Sequence, residues 1–372
     1  MSRPKATLWE LEPHSRAKHV ILRNYLHAWL PIMSSLVGHR AIDGRGRLVL
    51  VDGFAGPGRY AGGEPGSPLI MLNAFLEHAR RDLIRAELVY LFIEDNEERA
   101  DHLESETAAF DLPDQVKVQV IHGRYEDVFT GAMDSMSESG GTLAPTFAFV
   151  DPFGYADVSM QLTDRLLRFR RCEALVYMPL PFVTRFIRRD GQEQAMDNLF
   201  GCSDWRNAIP LNGAERRDYL HDLFRDQLAA EGDEDRIVRS FEVPTASGTG
   251  YYLFFTTTHE KGIEAMKDAM WAADPFEGQR FRDTTVRDQL VIFKPDVSTG
   301  PLLQALRERF GAEPFTIEEA VSFTLRDTAY KRGHLKRNTL APAERDGQLE
   351  SLSSRKRAVT YPDGTKLRFC DT

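Results

Sequence analysis

Glycines and one acid follow an apolar run near the start of the chain. The run at residues 48–51 leads into Asp52-Gly53-Phe54-Ala55-Gly56-Pro57-Gly58. A turn from strand to helix uses glycine where the backbone has positive φ or where a ligand leaves no room for a Cβ. No Gly-Lys-Ser/Thr follows, so the segment is not an ATP phosphate loop, and it is not a clean GxGxxG either. It predicts a cofactor-binding turn formed by Asp52, Gly53, Phe54, Gly56 and Gly58.

Acids also stand where three further apolar runs end. Glu94 ends the run at 88–93, Glu126 and Asp127 follow the run at 116–121, and Asp151 follows the run at 146–150. Because the carboxyl ends of parallel strands meet in one crevice, these acids are expected to face a common ligand. Glu94 could accept ribose hydroxyls, and Glu126 or Asp127 could accept from an adenine amino group. The alternative is that each acid caps a solvated helix.

The elements that must position these residues alternate between strand and helix. Residues 15–37 have the apolar spacing of an amphipathic helix. The fold class is α/β, a Rossmann-like sheet of seven strands whose last pair is antiparallel, spanning residues 1–295 with a helical insertion at about 182–237. The predicted strands are 48–51, 88–93, 116–121, 146–150, 173–178, 240–244 and 251–258. The predicted helices are 68–81, 96–109, 125–138, 159–169 and 262–273.

Residues 296–372 differ in character from the rest of the chain. Helices at 301–310, 315–325 and 329–347 and a hairpin turning at 362–364 predict a winged helix-turn-helix domain. Residues 326–368 carry 11 Lys and Arg against five Asp and Glu. Cations on such a domain neutralise phosphates, although the same domain also docks proteins. The predicted nucleic-acid contacts, DNA or RNA, are Arg185, Lys331, Arg332, Lys336, Arg337, Arg355, Lys356 and Arg357.

Composition sets the broad class. The 372 residues are 42% hydrophobic and 28% charged, which excludes a disordered chain. The net charge of −9 separates into −12 on residues 1–300 and +3 on residues 301–372. No apolar stretch is long enough for a membrane helix and the N-terminus lacks a signal-peptide core, so a cytoplasmic protein without membrane contact is expected. The three cysteines stand far apart, and no metal site is expected.

Several motifs carry a resemblance to known proteins. DGFAGPG, FIEDN and DPFG resemble the binding motifs of class I S-adenosylmethionine-dependent methyltransferases. Over nearly its full length the chain resembles the three-Cys-motif partner proteins (TcmP). The matching pieces are the opening from Lys18 to Trp29, DGFAGPGRY, FVDPFG, the segment from Met178 to Phe186, residues 251–271 and the winged-helix tail. The resemblance implies S-adenosyl-L-methionine as cofactor, a bacterial or phage setting, and a partner radical-type protein bearing three cysteines.

The turn Asp151-Pro152-Phe153-Gly154 is then the predicted catalytic element. It resembles the Asp-Pro-Pro-aromatic turn of amino methyltransferases, in which a carboxylate grips the acceptor while a ring stacks on an extruded base. Here Phe153 or Tyr155 would supply the ring. The predicted function is methyl transfer to nucleic acid. The alternatives are a non-catalytic nucleic-acid-binding or accessory partner of a three-Cys-motif protein, and a methyltransferase acting on a protein or small molecule.

Overall fold

The computed structural model describes two compact units of the chain, Met1–His259 and Glu260–Thr372. The predicted boundary between residues 295 and 296 lies outside the described residues. The helix predicted at 262–273 falls within the predicted first domain, whereas in the structure it belongs to the second unit. The residues that the structure describes are 6–37, 46–230, 236–243, 250–280 and 297–370.

A seven-stranded sheet forms the centre of the first unit, as predicted. Its order is β3-β2-β1-β4-β5-β7-β6, and β7 runs antiparallel to both β5 and β6. The inner strands β1, β4 and β5 are almost wholly buried, which explains why they are continuous apolar runs in the sequence. The strands are β1 Arg47–Asp52, β2 Glu87–Glu94, β3 Val116–His122, β4 Thr146–Val150, β5 Glu173–Met178, β6 Ile237–Val243 and β7 Tyr251–Thr257.

Helices cover both faces of this sheet. On one face α4, α5, α6, α7 and α8 form a single core with alternate residues of the strands, Val49 and Val51 among them. The three helices between β5 and β6 correspond to the predicted insertion. The helix predicted at 68–81 ends earlier, and a 3-10 turn at Arg81–Leu83 follows it. The helices are α1 Pro13–Val37, α2 Ser67–Leu76, α3 Glu97–Ala108, α4 Tyr125–Glu138, α5 Met160–Leu167, α6 Leu180–Phe186, α7 Glu193–Phe200 and α8 Gly213–Ala229.

A buried carboxylate fixes α1 to the other face of the sheet. Glu173, the first residue of β5, accepts hydrogen bonds from Tyr25 Oη (2.5 Å), Trp29 Nε1 (2.6 Å) and Thr257 Oγ1 (2.5 Å). Burial raises the pKa of Glu173, and the three donors oppose that shift. The ring of Tyr25 also packs on Phe147 of β4, with the centroids 5.2 Å apart. Helix α1 therefore holds a fixed position along the sheet.

The second unit combines helices with a small antiparallel sheet. Its strands are β8 Phe315–Thr316, β9 Leu349–Ser351 and β10 Lys366–Phe369, in the order β8-β10-β9. The predicted hairpin needs one correction: β10 forms its hairpin with β9, not with the residues just before Pro362, which form no strand, and its other edge pairs with β8. The helices are α9 Glu260–Ala273, α10 Gly300–Phe310, α11 Ile317–Asp327, α12 Arg332–His334 and α13 Ala341–Arg345, with a π-helical turn at Leu335–Leu340.

Local sequence explains where α11 begins. Thr316 Oγ1 accepts from the backbone N–H of Glu319 (3.2 Å), and the Glu319 carboxylate accepts from the backbone N–H of Thr316 (2.7 Å), a capping box. The hydrogen bonding of Thr316 to the Glu319 carboxylate lowers the pKa of Glu319. Because Thr316 also pairs with Lys366 of β10, the cap joins α11 to the sheet.

Candidate functional site

The glycine turn after β1 is tight for reasons visible at each glycine. Gly56 and Gly58 have φ values of +63° and +85°, a region that residues with a Cβ rarely adopt. Gly53 has ordinary φ, but a Cβ there would lie 2.6 Å from the ring of Tyr125. A Cβ on Gly58 would lie 2.9 Å from Leu103 Cδ1. The turn therefore brings backbone N–H groups to the carboxyl edge of the sheet without side chains in the way.

Glu94 at the end of β2 contacts this turn directly. Its Oε2 accepts from the backbone N–H of Gly56 (2.9 Å), and its Oε1 accepts from the backbone N–H of Asn96 (3.1 Å). Arg99 forms a looser ion pair with it at 3.9 Å. The carboxylate is 3% exposed, and burial, followed by the charge of Asp95, raises its pKa. The predicted proximity of Glu94 to the glycine turn is thus present in the structure.

Asp52 is the most deeply buried acid of the site. Its Oδ1 accepts from the backbone N–H of Phe54 (3.1 Å), whereas Oδ2 finds no hydrogen-bond partner among the described residues. Burial raises the pKa of Asp52 to about 7, and the charges of Asp151 and Glu94 act in the same direction. A nearby cationic group would stabilise the ionised form of this buried carboxyl group.

Asp151, the first residue after β4, is paired with a lysine from α1. Lys18 Nζ donates to both carboxylate oxygens, at 2.9 Å to Oδ1 and 2.6 Å to Oδ2. The same ammonium lies 4.3 Å from the centroid of the Tyr177 ring. The Lys18 and Asp151 side chains are 7% and 19% exposed, so the pair is part-buried, with its lysine better shielded from water than its carboxylate. Helix α1 therefore contributes the ammonium of this pair, the end of β4 contributes the carboxylate, and β5 contributes the ring beside them.

One cavity of about 280 Å³ connects the pair with the glycine turn. Gly56, Gly58, Lys18 and Asp151 all line it. Its lining is rich in aromatic residues, and Trp9 contributes to it by meeting Phe153 edge-on with the centroids 5.4 Å apart. The aromatic lining residues are Trp9, Phe54, Tyr60, Phe153, Tyr177, Phe182 and Tyr251. All three predicted catalytic residues, Asp151, Pro152 and Phe153, line this cavity.

A second, much smaller cavity of about 20 Å³ shares the lining residues Phe54 and Phe153 with the first. Gly53, Glu94 and Glu126 line it. Asp127, predicted as a cofactor contact, is exposed in the first turn of α4 and is not one of its lining residues. The helical turn that begins at Tyr125 points Glu126 and Asp127 in different directions, so only Glu126 reaches the cavity.

The remaining predicted residues of the first unit fall outside the larger cavity. Tyr155 is buried, and its hydroxyl donates to Gln192 Oε1, so Phe153 is the aromatic side chain of the turn that faces the cavity. Arg185 is exposed on α6, with its guanidinium 5.3 Å from the centroid of the Phe186 ring. It is not among the cavity-lining residues.

Four of the predicted nucleic-acid contacts in the second unit are already paired. Lys331 and Arg332 form ion pairs with acids of α9, at 2.9 Å to Asp268 and 3.1 Å to Glu264. Lys336 Nζ donates to the carbonyl of Tyr361 (2.7 Å), and Arg355 pairs with Glu344.

Three predicted contacts remain open. Arg337, Lys356 and Arg357 are exposed, and no ion pair to them occurs within the described residues of this unit. Among the predicted contacts of this unit, they are the cations that could meet a phosphate backbone without giving up a described partner.

Sequence reasoning missed the partner of Asp151. Lys18 is the first residue of the motif that resembles three-Cys-motif partner proteins, but that resemblance assigns it no role. A single lysine on an amphipathic helix is typical of a solvated face. Tyr177 had a usable signal, because it stands at the carboxyl end of β5, beside the crevice where ligands bind in open α/β sheets.

Two kinds of feature are absent from the described part of the chain. No helix there is both long enough and apolar enough to cross a membrane. No group of three or more His, Cys, Asp or Glu side chains within the same residues could hold a metal ion.

Comparison with solved structures finds methyltransferases. Trm1 from Pyrococcus horikoshii, in complex with S-adenosyl-L-methionine, is 13% identical with a TM-score of 0.39, over 98% of this chain and 93% of that one. The O-methyltransferase from Bacillus cereus in complex with SAH is 14% identical with a TM-score of 0.32, over 62% and 80%. The methyltransferase domain of bacterial CtHen1 is 9% identical with a TM-score of 0.28, over 64% and 99%.

The first two of these structures contain S-adenosyl-L-methionine and SAH. No protein-family model matches the chain, and no curated protein sequence does. The resemblance to three-Cys-motif partner proteins therefore stays a prediction.

Proposed function

We propose that the first unit binds S-adenosyl-L-methionine and transfers its methyl group to a nucleic acid held by the second unit. The observation that carries the proposal is the convergence at one edge of the sheet. Gly56 is hydrogen-bonded to Glu94, and Gly56 and Asp151 line the same cavity although they follow different strands. Ligands of open α/β sheets bind in this crevice at the carboxyl ends of the strands.

The residues present fit this cofactor. S-adenosylmethionine carries a sulfonium and an ammonium. Asp52 lines neither cavity, but it lies at the start of the glycine turn and offers a fully buried carboxylate whose Oδ2 has no hydrogen-bond partner among the described residues. The turn at Gly56 and Gly58, which lines the larger cavity, would accept the amino-acid end. Glu94 would exchange its contact with the turn for the ribose hydroxyls. Glu126, which lines the smaller cavity, is better placed for the adenine amino group than Asp127.

When bound, the cofactor supplies an electrophilic methyl group, and the protein must position the acceptor and exclude water. Once cofactor and acceptor fill the cavity, its aromatic lining would exclude water around Asp151, whose side chain is 19% exposed in this structure. Phe153 offers a ring on which a planar group could stack, and Asp151 offers a carboxylate for the acceptor.

The second unit supports nucleic-acid binding by its arrangement. A strand between its second and third helices, α10 and α11, and a hairpin after the last helical segment, residues 332–345, are the pattern of a winged helix-turn-helix. In such a domain Arg337 would lie on the recognition helix, and Lys356 and Arg357 would lie on the wing, between β9 and β10. All three are exposed cations, which suits contact with phosphates.

Calorimetry with S-adenosylmethionine tests the proposed binding of the cofactor. The unaltered chain should bind it, and Glu94→Gln should weaken binding by about tenfold, the worth of one hydrogen bond to a charged group. Glu104→Gln, an exposed acid on α3, is the matched control and should bind as the unaltered chain does. Methyl incorporation from labelled cofactor into total nucleic acid, abolished by Asp151→Ala, tests the reaction.

One observation favours a second candidate function, an accessory nucleic-acid-binding protein without catalysis. Both oxygens of Glu94 already accept backbone hydrogen bonds, and Trp9 lies 3.4 Å from where a Cβ of Gly56 would be. A turn closed in this way could have lost the cofactor. Absence of heat on titration with both S-adenosylmethionine and S-adenosylhomocysteine would select this candidate over the methyltransferase.

A further inference from the structure

We propose that the methyl acceptor is a hydroxyl oxygen held between Asp151 and Lys18, and that in a nucleic acid it is the ribose 2′-hydroxyl of RNA. This inference rests on the proposed function. It names the acceptor class that the same cavity takes. The relevant feature is the direct pairing of the predicted acceptor-binding carboxylate with a buried ammonium.

The hydrogen-bonding capacity of the pair matches a hydroxyl. Asp151 presents acceptor oxygens, and Lys18 presents an ammonium with three N–H groups, of which its two hydrogen bonds to Asp151 use at most two. A hydroxyl can donate its proton to Asp151 and accept from Lys18 at the same time. An exocyclic amino group of a base has two donors, and its conjugated lone pair is a poor acceptor, so it has no use for the lysine.

The charge of Lys18 also favours a hydroxyl acceptor over an amino acceptor. Methylation of an amino nitrogen builds positive charge on that nitrogen, and an adjacent buried ammonium opposes it. A hydroxyl oxygen that loses its proton gains negative charge, which the ammonium stabilises. Because Lys18 is 6% exposed, water screens this effect only weakly.

Helix α1 fixes Lys18 firmly enough for this role. Tyr25 and Trp29, two turns and three turns further along α1, are both anchored to buried Glu173. The Tyr177 ring lies 4.3 Å from the ammonium on another side. The pair is therefore a rigid donor and acceptor site, of the kind that holds an acceptor in one orientation.

The reaction balances without any further reactant. An oxygen lone pair of the hydroxyl forms the new bond to the methyl carbon, and the carbon–sulfur bond breaks with its electrons going to sulfur. The sulfonium becomes a neutral thioether. The hydroxyl proton passes to the Asp151 carboxylate and from there to solvent, while Lys18 keeps its protons and donates a hydrogen bond to the reacting oxygen.

The atom that receives the methyl group decides whether the acceptor is the ribose 2′-hydroxyl. The full chain is incubated with methyl-labelled S-adenosylmethionine and either total RNA or total DNA, and labelled RNA is then hydrolysed with alkali. A 2′-O-methyl group blocks alkaline cleavage, so label in alkali-resistant dinucleotides is the expected result. Label in mononucleotides, or in DNA, would overturn the hydroxyl acceptor and leave the proposed methyltransferase standing. No label in either, with cofactor binding shown by calorimetry, would remove both nucleic-acid methylation and this inference.

Variants of Lys18 give a second readout. Lys18→Met should lower kcat by about a hundredfold, the lower end of what losing one donor to a developing negative charge costs, with cofactor affinity unchanged. Lys18→Arg should restore part of the rate because it keeps the charge and the donors. Arg16→Met, an exposed cation on the same helix, is the control and should leave kcat unchanged. An unaltered kcat in Lys18→Met with native unfolding behaviour would contradict the role of the ammonium.

Discussion

The backbone N–H of Gly56 donates to Glu94 Oε2 over 2.9 Å, although 38 positions separate the two residues. This hydrogen bond joins the turn after β1 to the end of β2, two strands that are neighbours in the sheet. A ligand that takes the acid must therefore also change the hydrogen bonding of the turn.

The ionisation of Asp52 should make the free energy of unfolding decrease as pH rises. Its pKa is raised from 3.8 to about 7 in the folded chain, so between these values the folded state binds more protons than the unfolded state. The contribution is fully present below pH 3.8 and is lost as pH rises through about 7. Thermal unfolding of Asp52→Asn, which cannot ionise, should show a smaller decline across this interval than the unaltered chain. Parallel pH profiles would contradict the raised pKa.

The same acid predicts a proton linkage on cofactor binding. A cationic ligand favours ionised Asp52 and lowers its pKa, so binding just below pH 7 should release a proton. Calorimetry of S-adenosylmethionine binding in buffers of different ionisation enthalpy measures this release. Asp52→Asn should abolish it, and an equal release from both proteins would assign the proton to another group.

Gly58 should tolerate no side chain, for two separable reasons. Gly58→Ala places a Cβ at φ +85°, which costs roughly 1–2 kcal/mol, and also 2.9 Å from Leu103 Cδ1. Denaturant unfolding should show destabilisation by at least that amount. In the double variant with Leu103→Ala, the crowding disappears while the backbone strain stays. The two destabilisations should therefore sum to more than that of the double variant. Simple additivity would mean that the contact with Leu103 costs nothing.

The three open cations of the second unit should supply nucleic-acid affinity. Replacing Arg337, Lys356 and Arg357 together by Ala should weaken binding of a duplex oligonucleotide. It should also flatten the dependence of log affinity on log salt by about 0.9 for each phosphate that the protein no longer neutralises. The matched control replaces Arg80, Arg85 and Lys117, exposed cations of the first unit. An equal drop in affinity in both triple variants would show that net charge alone accounts for binding.

Acids of α9 should restrain nucleic-acid binding. Glu264 pairs with Arg332 and Asp268 with Lys331, so Glu264→Gln with Asp268→Asn would release two cations. Affinity should rise by a few-fold, in keeping with the roughly 0–1 kcal/mol that an exposed ion pair is worth. Glu308→Gln with Glu313→Gln removes two other exposed acids of the same unit and is the control. An equal rise in both would mean that the pairing is irrelevant.

The strands could be predicted because burial leaves a direct mark on the sequence. β4 is Thr146–Val150, as the apolar run 146–150 predicts, and all five of its residues are buried. The meeting of Gly56, Glu94 and Asp151 could also be predicted, because parallel strands end at one edge of the sheet. The same argument could not separate Glu126 from Asp127, since the direction of a side chain within a helical turn depends on where the helix begins.

Contacts between distant segments could not be predicted. Lys18 and Asp151 are 133 positions apart, and nothing in the pattern of α1 marks this lysine. Strand β9, which forms the hairpin with β10, is three residues long and so too short to show an alternating pattern. The pairing of Lys331 and Arg332 had a usable sign, because Glu260, Glu264 and Asp268 recur every fourth residue and so share one face of α9.

The anchoring of α1 to Glu173 links folding to chemistry in one segment. Tyr25 and Trp29 satisfy a buried carboxylate, and Lys18, on the same helix, completes the pair with Asp151. A shortened protein that starts after this helix would retain every residue of the glycine turn and of Asp-Pro-Phe. It would nevertheless leave Asp151 without Lys18, and Glu173 without two of its three hydrogen-bond donors. Comparisons limited to the glycine turn and the Asp-Pro-Phe turn would therefore not detect the loss of Lys18 and of the residues that anchor its helix.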